Sequence, residues 1–140
     1  MEKVNNNIDS IIKTLQGYFR NRGEIEVAYI FGSVALNESN SLSDIDLAVI
    51  LNEEKINAGL YPYGHKAHLL SDLMQLLKTN RVDLVILNDA PPLLKHRVLY
   101  FGKLICANDE ARRIRFQVDT INEYNDFKYL SRPHLERTSK

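Results

Sequence analysis

Ile8, Ile11, Ile12, Leu15 and Phe19 recur at helical spacing and predict an amphipathic helix over about residues 5–22, with Gly23 as its stop signal. IEVAYIF, residues 25–31, is rich in β-branched and aromatic types and predicts a buried strand that Gly32-Ser33 ends abruptly. VALNESNSLS has weak periodicity and predicts a short helical turn followed by a loop. DIDLAVIL, residues 44–51, is apolar on both faces and predicts a second, mostly buried strand. After the polar loop NEEKINAGLYPYG, a helix is expected over about residues 65–79, with Leu69, Leu73, Leu76 and Leu77 turned inward. VDLVIL, residues 82–87, predicts a third strand. Asn88 and Asp89 then cap a helix entered through Pro91 and Pro92 and bearing Leu94, Val98 and Leu99. GKLICA predicts a short fourth strand, and residues 109–130 a polar helix carrying Ile114, Val118, Ile121 and Tyr124. The first few residues and the tail SRPHLERTSK are expected to be loose.

The order α-β-α-β-α-β with an added helix predicts a layered α/β unit around a small sheet. Periodicity does not say whether its strands are parallel. At 140 residues the chain has the size of one domain, and 44% hydrophobic with 26% charged residues is a globular balance. Eighteen basic and 18 acidic residues give zero formal charge, which argues against a dedicated nucleic-acid binder and makes direct nucleic-acid binding unexpected. Cys106 is the one cysteine, so no internal disulfide can form; a reducing, cytoplasmic setting and a buried thiol are expected. No apolar stretch approaches the ~20 residues that cross a bilayer, and MEKVNNNIDS has no secretory apolar region, so no membrane partner is expected.

The informative anomaly is acid within apolar strands. Asp44 and Asp46 open the second predicted strand and Asp83 the third. Aspartate is a poor strand former and is costly to bury unpaired. Residues two apart on a strand share a face, so Asp44 and Asp46 are expected to project together, roughly 6–7 Å apart at their backbones. If the third strand neighbours the second, Asp83 joins them. Three converging carboxylates repel, and a divalent cation relieves that repulsion. Hard oxygen donors suit Mg²⁺, which commonly adds substrate phosphates as ligands. Each aspartate alone is better read as a cap, turn or surface residue; three of them, each before a strong apolar run, are not.

Gly32-Ser33 is the second anomaly. A glycine after a buried strand lets backbone approach a phosphate, a following helix start offers free N–H groups, and the serine hydroxyl adds another donor. Alone, Gly-Ser there usually marks a turn. Here ten residues, 34–43, separate it from D-x-D on a strand–loop–strand frame.

On these residues, FGSVALNESNSLSDIDLAVIL with VDLVIL, the chain resembles the nucleotidyltransferase superfamily that shares a palm-like core with DNA polymerase β. More narrowly, its length and ending resemble the minimal nucleotidyltransferases (MNT) encoded beside HEPN-domain proteins. In such type VII-like toxin–antitoxin pairs HEPN is the toxin, usually an RNase, and MNT the antitoxin. The resemblance implies an α/β (α+β) fold: a palm-like core with a small mixed sheet, flanking helices and a C-terminal helix. It implies one nucleotidyltransferase domain over residues 1–140, with its core over about 1–107 and the C-terminal helix and tail over 108–140. It implies that Gly32 and Ser33 hold the phosphates of ATP, and that Asp44, Asp46 and Asp83 bind Mg²⁺. Asp83 would also help deprotonate the acceptor hydroxyl. The implied reaction moves AMP from ATP to a tyrosine of a HEPN-domain toxin. Leu36 and Asn37 follow Ala35 where many relatives read Arg-Gly, so a basic residue near the phosphates is missing.

Lys66, Arg81, Lys95 and Arg97 are candidates to steady the triphosphate, and the sequence does not choose among them. A chain this short has little left for an acceptor domain, which favours an acceptor delivered by a docked protein. Two alternatives stay open: an antitoxin that acts by binding alone, and a transferase acting on a small molecule such as an antibiotic. His65 and His68 share a helix face without further zinc ligands and read as structural. Tyr61 and Tyr63 either stack on adenine, line a partner surface or pack the loop. Arg112, Arg113 and Arg115 read as a solvated helix surface. Tyr124, Phe127 and Tyr129 form an apolar strip for the core or a partner. Glu38, Glu53 and Glu54 read as ordinary loop acids.

Overall fold

The computed structural model describes residues 3–32, 44–56 and 63–139, with side chains described only between residues 8 and 128 of those spans. Helix α1 (Lys3–Arg20) precedes strand β1 (Ile25–Phe31), and β2 (Ile45–Leu51) follows. Helix α2 (Tyr63–Leu77) leads into β3 (Val82–Ile86), α3 (Pro92–Phe101), β4 (Lys103–Ala107) and α4 (Glu110–Ser139). Short 3-10 turns follow β2 at Glu53–Lys55 and β3 at Leu87–Asp89.

The four strands form one mixed sheet in the order β3-β2-β1-β4. Strand β1 runs antiparallel to both β2 and β4, whereas β2 and β3 are parallel. Helix α2 is the crossover that a parallel pair requires. On one face the sheet buries Ala28, Ile30, Leu47, Val49 and Leu84 against Leu15 and Phe19 of α1 and Leu69 and Leu73 of α2. On the other, Val27, Tyr29, Ala48 and Ile50 pack with Val98 of α3 and Phe116 of α4. The α+β class with a small mixed sheet is as expected. So is the buried Cys106, whose thiol burial pushes up, away from the reactive thiolate.

Four expectations need correction. Asp44 stands one residue before β2 rather than within it. Leu76 is 38% exposed, because at helical spacing only Leu69 and Leu73 face the sheet squarely. The inward face of α4 is Phe116 and Thr120, spaced i, i+4, while Ile114, Val118 and Ile121 are about half exposed. The tail expected to be loose continues α4 to Ser139, with Pro133 inside the helix. Its neighbours include Leu, Glu and Arg, strong helix formers with no glycine stop among them.

Candidate active site

Antiparallel pairing sets Phe31, the last residue of β1, opposite Asp46 in β2. Parallel pairing sets Asp46 opposite Asp83 in β3. One row across the sheet therefore runs from the end of β1 through Asp46 to Asp83, with adjacent strands about 4.8 Å apart. Alternation along the strands turns both acids away from the face covered by α1 and α2. Ile45 and Leu47 flank Asp46 and point into that core, as do Val82 and Leu84 around Asp83.

Gly32 ends the row on the β1 side. Its φ of 80° lies in the left-handed region that favours glycine. A Cβ there would fall 2.2 Å from Oδ2 of Asp46. The glycine thus serves a purpose that the sequence did not reveal: it leaves room for the Asp46 carboxylate. Ser33 and residues 34–43, including Leu36 and Asn37, lie outside the described residues, as does Tyr61.

Burial, then the charges of Asp83 and Asp44, raise the pKa of Asp46 above the usual carboxylate range. Oδ1 of Asp83 accepts a hydrogen bond from the Leu84 N–H at 3.0 Å, which fixes one carboxylate oxygen. Asp44 is more open, and its Oδ1 lies 3.2 Å from Nη1 of Arg81. The Arg81 carbonyl in turn accepts from the Ile45 N–H at 2.9 Å, tying the two strand starts together. The three expected acids stand at the same end of β2 and β3, near enough for Asp83 and Asp44 to act on Asp46 through their charges. Asp46 and Asp83 are register neighbours, and Asp44 is drawn toward Arg81. Among the described residues no three His, Cys, Asp or Glu side chains form a group closed enough to hold a metal ion. The donors of Asp44, Asp46 and Asp83 are all carboxylate oxygens, the kind of ligand that suits a hard divalent cation.

The structure also separates the basic candidates. Arg81 reaches Asp44. Lys95 pairs with Glu123 at 2.9 Å, and Arg97 is exposed on α3. Lys66 lines a cleft at the β3 edge, together with Tyr63 and Val85. His65 and His68 belong to a different network, between α1 and α2. Nε2 of His65 lies 3.0 Å from Oε2 of Glu24, which also accepts from Arg22 at 2.7 Å. The Tyr18 hydroxyl donates to Asp72 at 2.9 Å, and His68 lies 3.6 Å from the same oxygen. Arg112 pairs with Glu26 and Arg113 with Glu110, while Arg115 is exposed. Tyr124 stacks on His96 of α3 at 3.6 Å between centroids, and Phe127 is exposed. The side chain of Tyr129 lies outside the described residues.

A sequence family described as "Polymerase beta, Nucleotidyltransferase" matches residues 13–111, from mid-α1 to the start of α4. The chain belongs to this nucleotidyltransferase family. Within it, the chain is 27% identical over 115 residues to the protein adenylyltransferase MntA of Aphanizomenon flos-aquae, a match covering 80% of this chain and 77% of that relative. It is similar in structure to a chain of a toxin–antitoxin crystal structure with AMP-PNP, at 25% identity and a TM-score of 0.68 over 96% of this chain and 99% of that one. A second similar chain comes from the tri-AMPylated Shewanella oneidensis HEPN toxin in complex with MNT antitoxin. There the identity is 25% and the TM-score 0.62, over 98% and 99% of the two chains. As a nucleotidyltransferase the chain is a transferase, and no helix among its described residues is long and apolar enough to cross a membrane.

Proposed function

We propose that this chain is the antitoxin of a HEPN–MNT toxin–antitoxin pair, and that it transfers AMP from ATP to a tyrosine hydroxyl of the HEPN toxin in the cytoplasm. One observation carries the reading. The row of Gly32, Asp46 and Asp83 occurs in a chain similar over nearly its whole length to one from a toxin–antitoxin crystallised with AMP-PNP. Adenylyltransferase is also the named activity of the MntA relative, and a tri-AMPylated HEPN toxin is the partner in a similar complex.

In this reading Gly32 admits the triphosphate close to the backbone, with Ser33 adding a hydroxyl donor. Asp44, Asp46 and Asp83 would hold Mg²⁺, which when bound neutralises charge on the leaving group and lowers the pKa of the nucleophile. Arg81 pairs with Asp44 and brings a guanidinium beside the acids at the start of β3. That supplies a cation in a chain whose loop lacks the basic residue common among its relatives. The acceptor oxygen bonds to the α-phosphorus as the bond to pyrophosphate breaks, and Asp83 receives the hydroxyl proton. Catalysis is then mainly positioning and charge stabilisation.

The test is to incubate the chain with its HEPN partner, ATP and Mg²⁺ and weigh the partner intact. The expected result is a gain of one or more AMP units on a tyrosine, together with loss of toxin activity. A silenced partner of unchanged mass would overturn the transferase reading in favour of inhibition by binding alone. Modification of an aminoglycoside without any partner would overturn it in favour of a small-molecule substrate.

A further inference from the structure

A cleft of about 330 Å³ opens at the β3 edge of the sheet, walled by Val85, Ala90, Pro91 and Leu94, with Tyr63 and Lys66 at its α2 side. We infer that this cleft seats the phenol ring of the acceptor tyrosine and aims its hydroxyl at Asp83; the inference rests on the transferase reading above.

The first argument is directional. In-line displacement requires the nucleophile to enter opposite the departing pyrophosphate. Gly32, which admits the phosphates, lies on the β1 side of Asp46, and Asp83 lies on the β3 side. With the leaving group over Gly32, the attacking oxygen arrives from the β3 side. The sheet order makes β3 an edge strand among the described residues, so that side is open to a docked partner.

The second argument is positional. Val85 follows Asp83 by two residues in β3, so the two side chains leave the same sheet face. Their backbones are separated by roughly 6–7 Å. Val85 belongs to the apolar cluster on that face, with Leu94 and Ala90 packed beside it. Asp83 lies outside the lining of the cleft, one strand step beyond it, and a flat ring laid along the strand against Val85 spans that step to the Asp83 carboxylate.

The third argument is chemical. The cleft is within the size range of sites for small groups and is lined mainly by apolar side chains, with Lys66 and Asp89 as its charged members. Tyr63 at its mouth is 82% exposed, a ring that a second ring can cover. A phenol suits such a seat, since its body is apolar and its reacting end is polar. In the step itself the phenolic oxygen forms a bond to the α-phosphorus of ATP, and the bond between that phosphorus and the bridging oxygen breaks. Pyrophosphate leaves with the electron pair, and the phenolic proton passes to Asp83 and then to water.

The test uses the full chain with its HEPN partner, ATP and Mg²⁺, comparing wild type with Ala90→Phe, which fills the cleft, and Tyr63→Ala, which strips its rim. AMP transfer to the partner is read by intact mass over time, and AMP-PNP affinity by calorimetry. The expected result is a loss of transfer of at least about tenfold for Ala90→Phe and a smaller loss for Tyr63→Ala, with AMP-PNP affinity within about twofold of wild type. Should Ala90→Phe not fold, Tyr63→Ala decides alone, because its ring is almost wholly in solvent. Undiminished transfer by folded variants overturns the acceptor seat and leaves the transferase reading standing. A parallel loss of AMP-PNP affinity also overturns it, and assigns the cleft to the adenine. Absence of an AMP adduct even with wild type defeats the transferase reading, and the seat with it.

Discussion

Gly32 and Asp46 leave no room for a side chain between them. A Cβ on Gly32 would sit 2.2 Å from Asp46 Oδ2, and φ at Gly32 is already 80°. Gly32→Ala therefore combines a left-handed alanine, costing roughly 1–3 kcal/mol, with displacement of the Asp46 carboxylate. The expected outcome is a lowered unfolding midpoint and a loss of AMP transfer larger than the stability loss explains. Denaturant titration and a transfer assay at a temperature where the variant is folded separate the two effects.

Asp44→Asn combined with Asp46→Asn is expected to leave the fold intact and to reduce transfer by about a thousandfold or more. Circular dichroism and intact-mass assays read the two quantities. Unchanged transfer would remove these aspartates from the site.

Asp46 alone makes a pH prediction. Burial first, then Asp83 and Asp44, raise its pKa in the folded chain above that of an unfolded aspartate. Its contribution to stability is therefore fully present below the ordinary aspartate pKa and is lost as pH rises through the raised folded value. In the absence of divalent cations, Asp46→Asn should leave stability unchanged at the acid end and increase it at neutral pH. The gain is expected to be under about 1 kcal/mol, because water screens the half-open site. Chemical unfolding at several pH values tests this.

Glu24 behaves in the opposite sense. Burial alone would raise its pKa, but hydrogen bonds from its own backbone, Arg22 and His65, with the Arg22 charge, outweigh burial and hold it below the usual range. Its stabilising contribution is present above the unfolded glutamate pKa and is lost as pH falls through the depressed folded value. Glu24→Gln should cost about 1–2 kcal/mol at neutral pH, with the difference from wild type vanishing at the acid end. Acid unfolding curves of the two proteins would then converge.

The inward face of α4 can be checked by contrast. Phe116 is 4% exposed and contacts Tyr29, whereas Val118 is 50% exposed. Phe116→Ala should destabilise the chain by about 3–5 kcal/mol. Val118→Ala should change its stability by no more than about 0.5 kcal/mol. Equal effects would mean that α4 packs by a different face.

The strands were legible because their apolar runs are long and flanked by turn residues, as IEVAYIF and VDLVIL show. The acids were legible because aspartate is out of place beside such runs. Helix faces were harder to read. Helix α4 carries an apolar stripe of Ile114, Val118 and Ile121 that stays about half exposed, so its inward side emerges only where Phe116 packs on Tyr29. The network of Tyr18, Arg22, Glu24, His65 and Asp72 joins residues up to 54 positions apart, and no local spacing signals it. The cleft at the β3 edge had one available clue, the two-residue step from Asp83 to Val85 within a strand.

By itself the sequence determined that the chain folds around a few buried strands and sets acids at their starts, because hydrophobic periodicity and a misplaced charge are local properties. It also determined that a glycine closes the first strand. Tertiary structure alone decided that β2 and β3 run parallel, that Asp46 lies between Gly32 and Asp83, and that Arg81 rather than another base meets Asp44. Those relations come from strand pairing and crossover, which bring together residues far apart in the chain and leave no periodic trace along it.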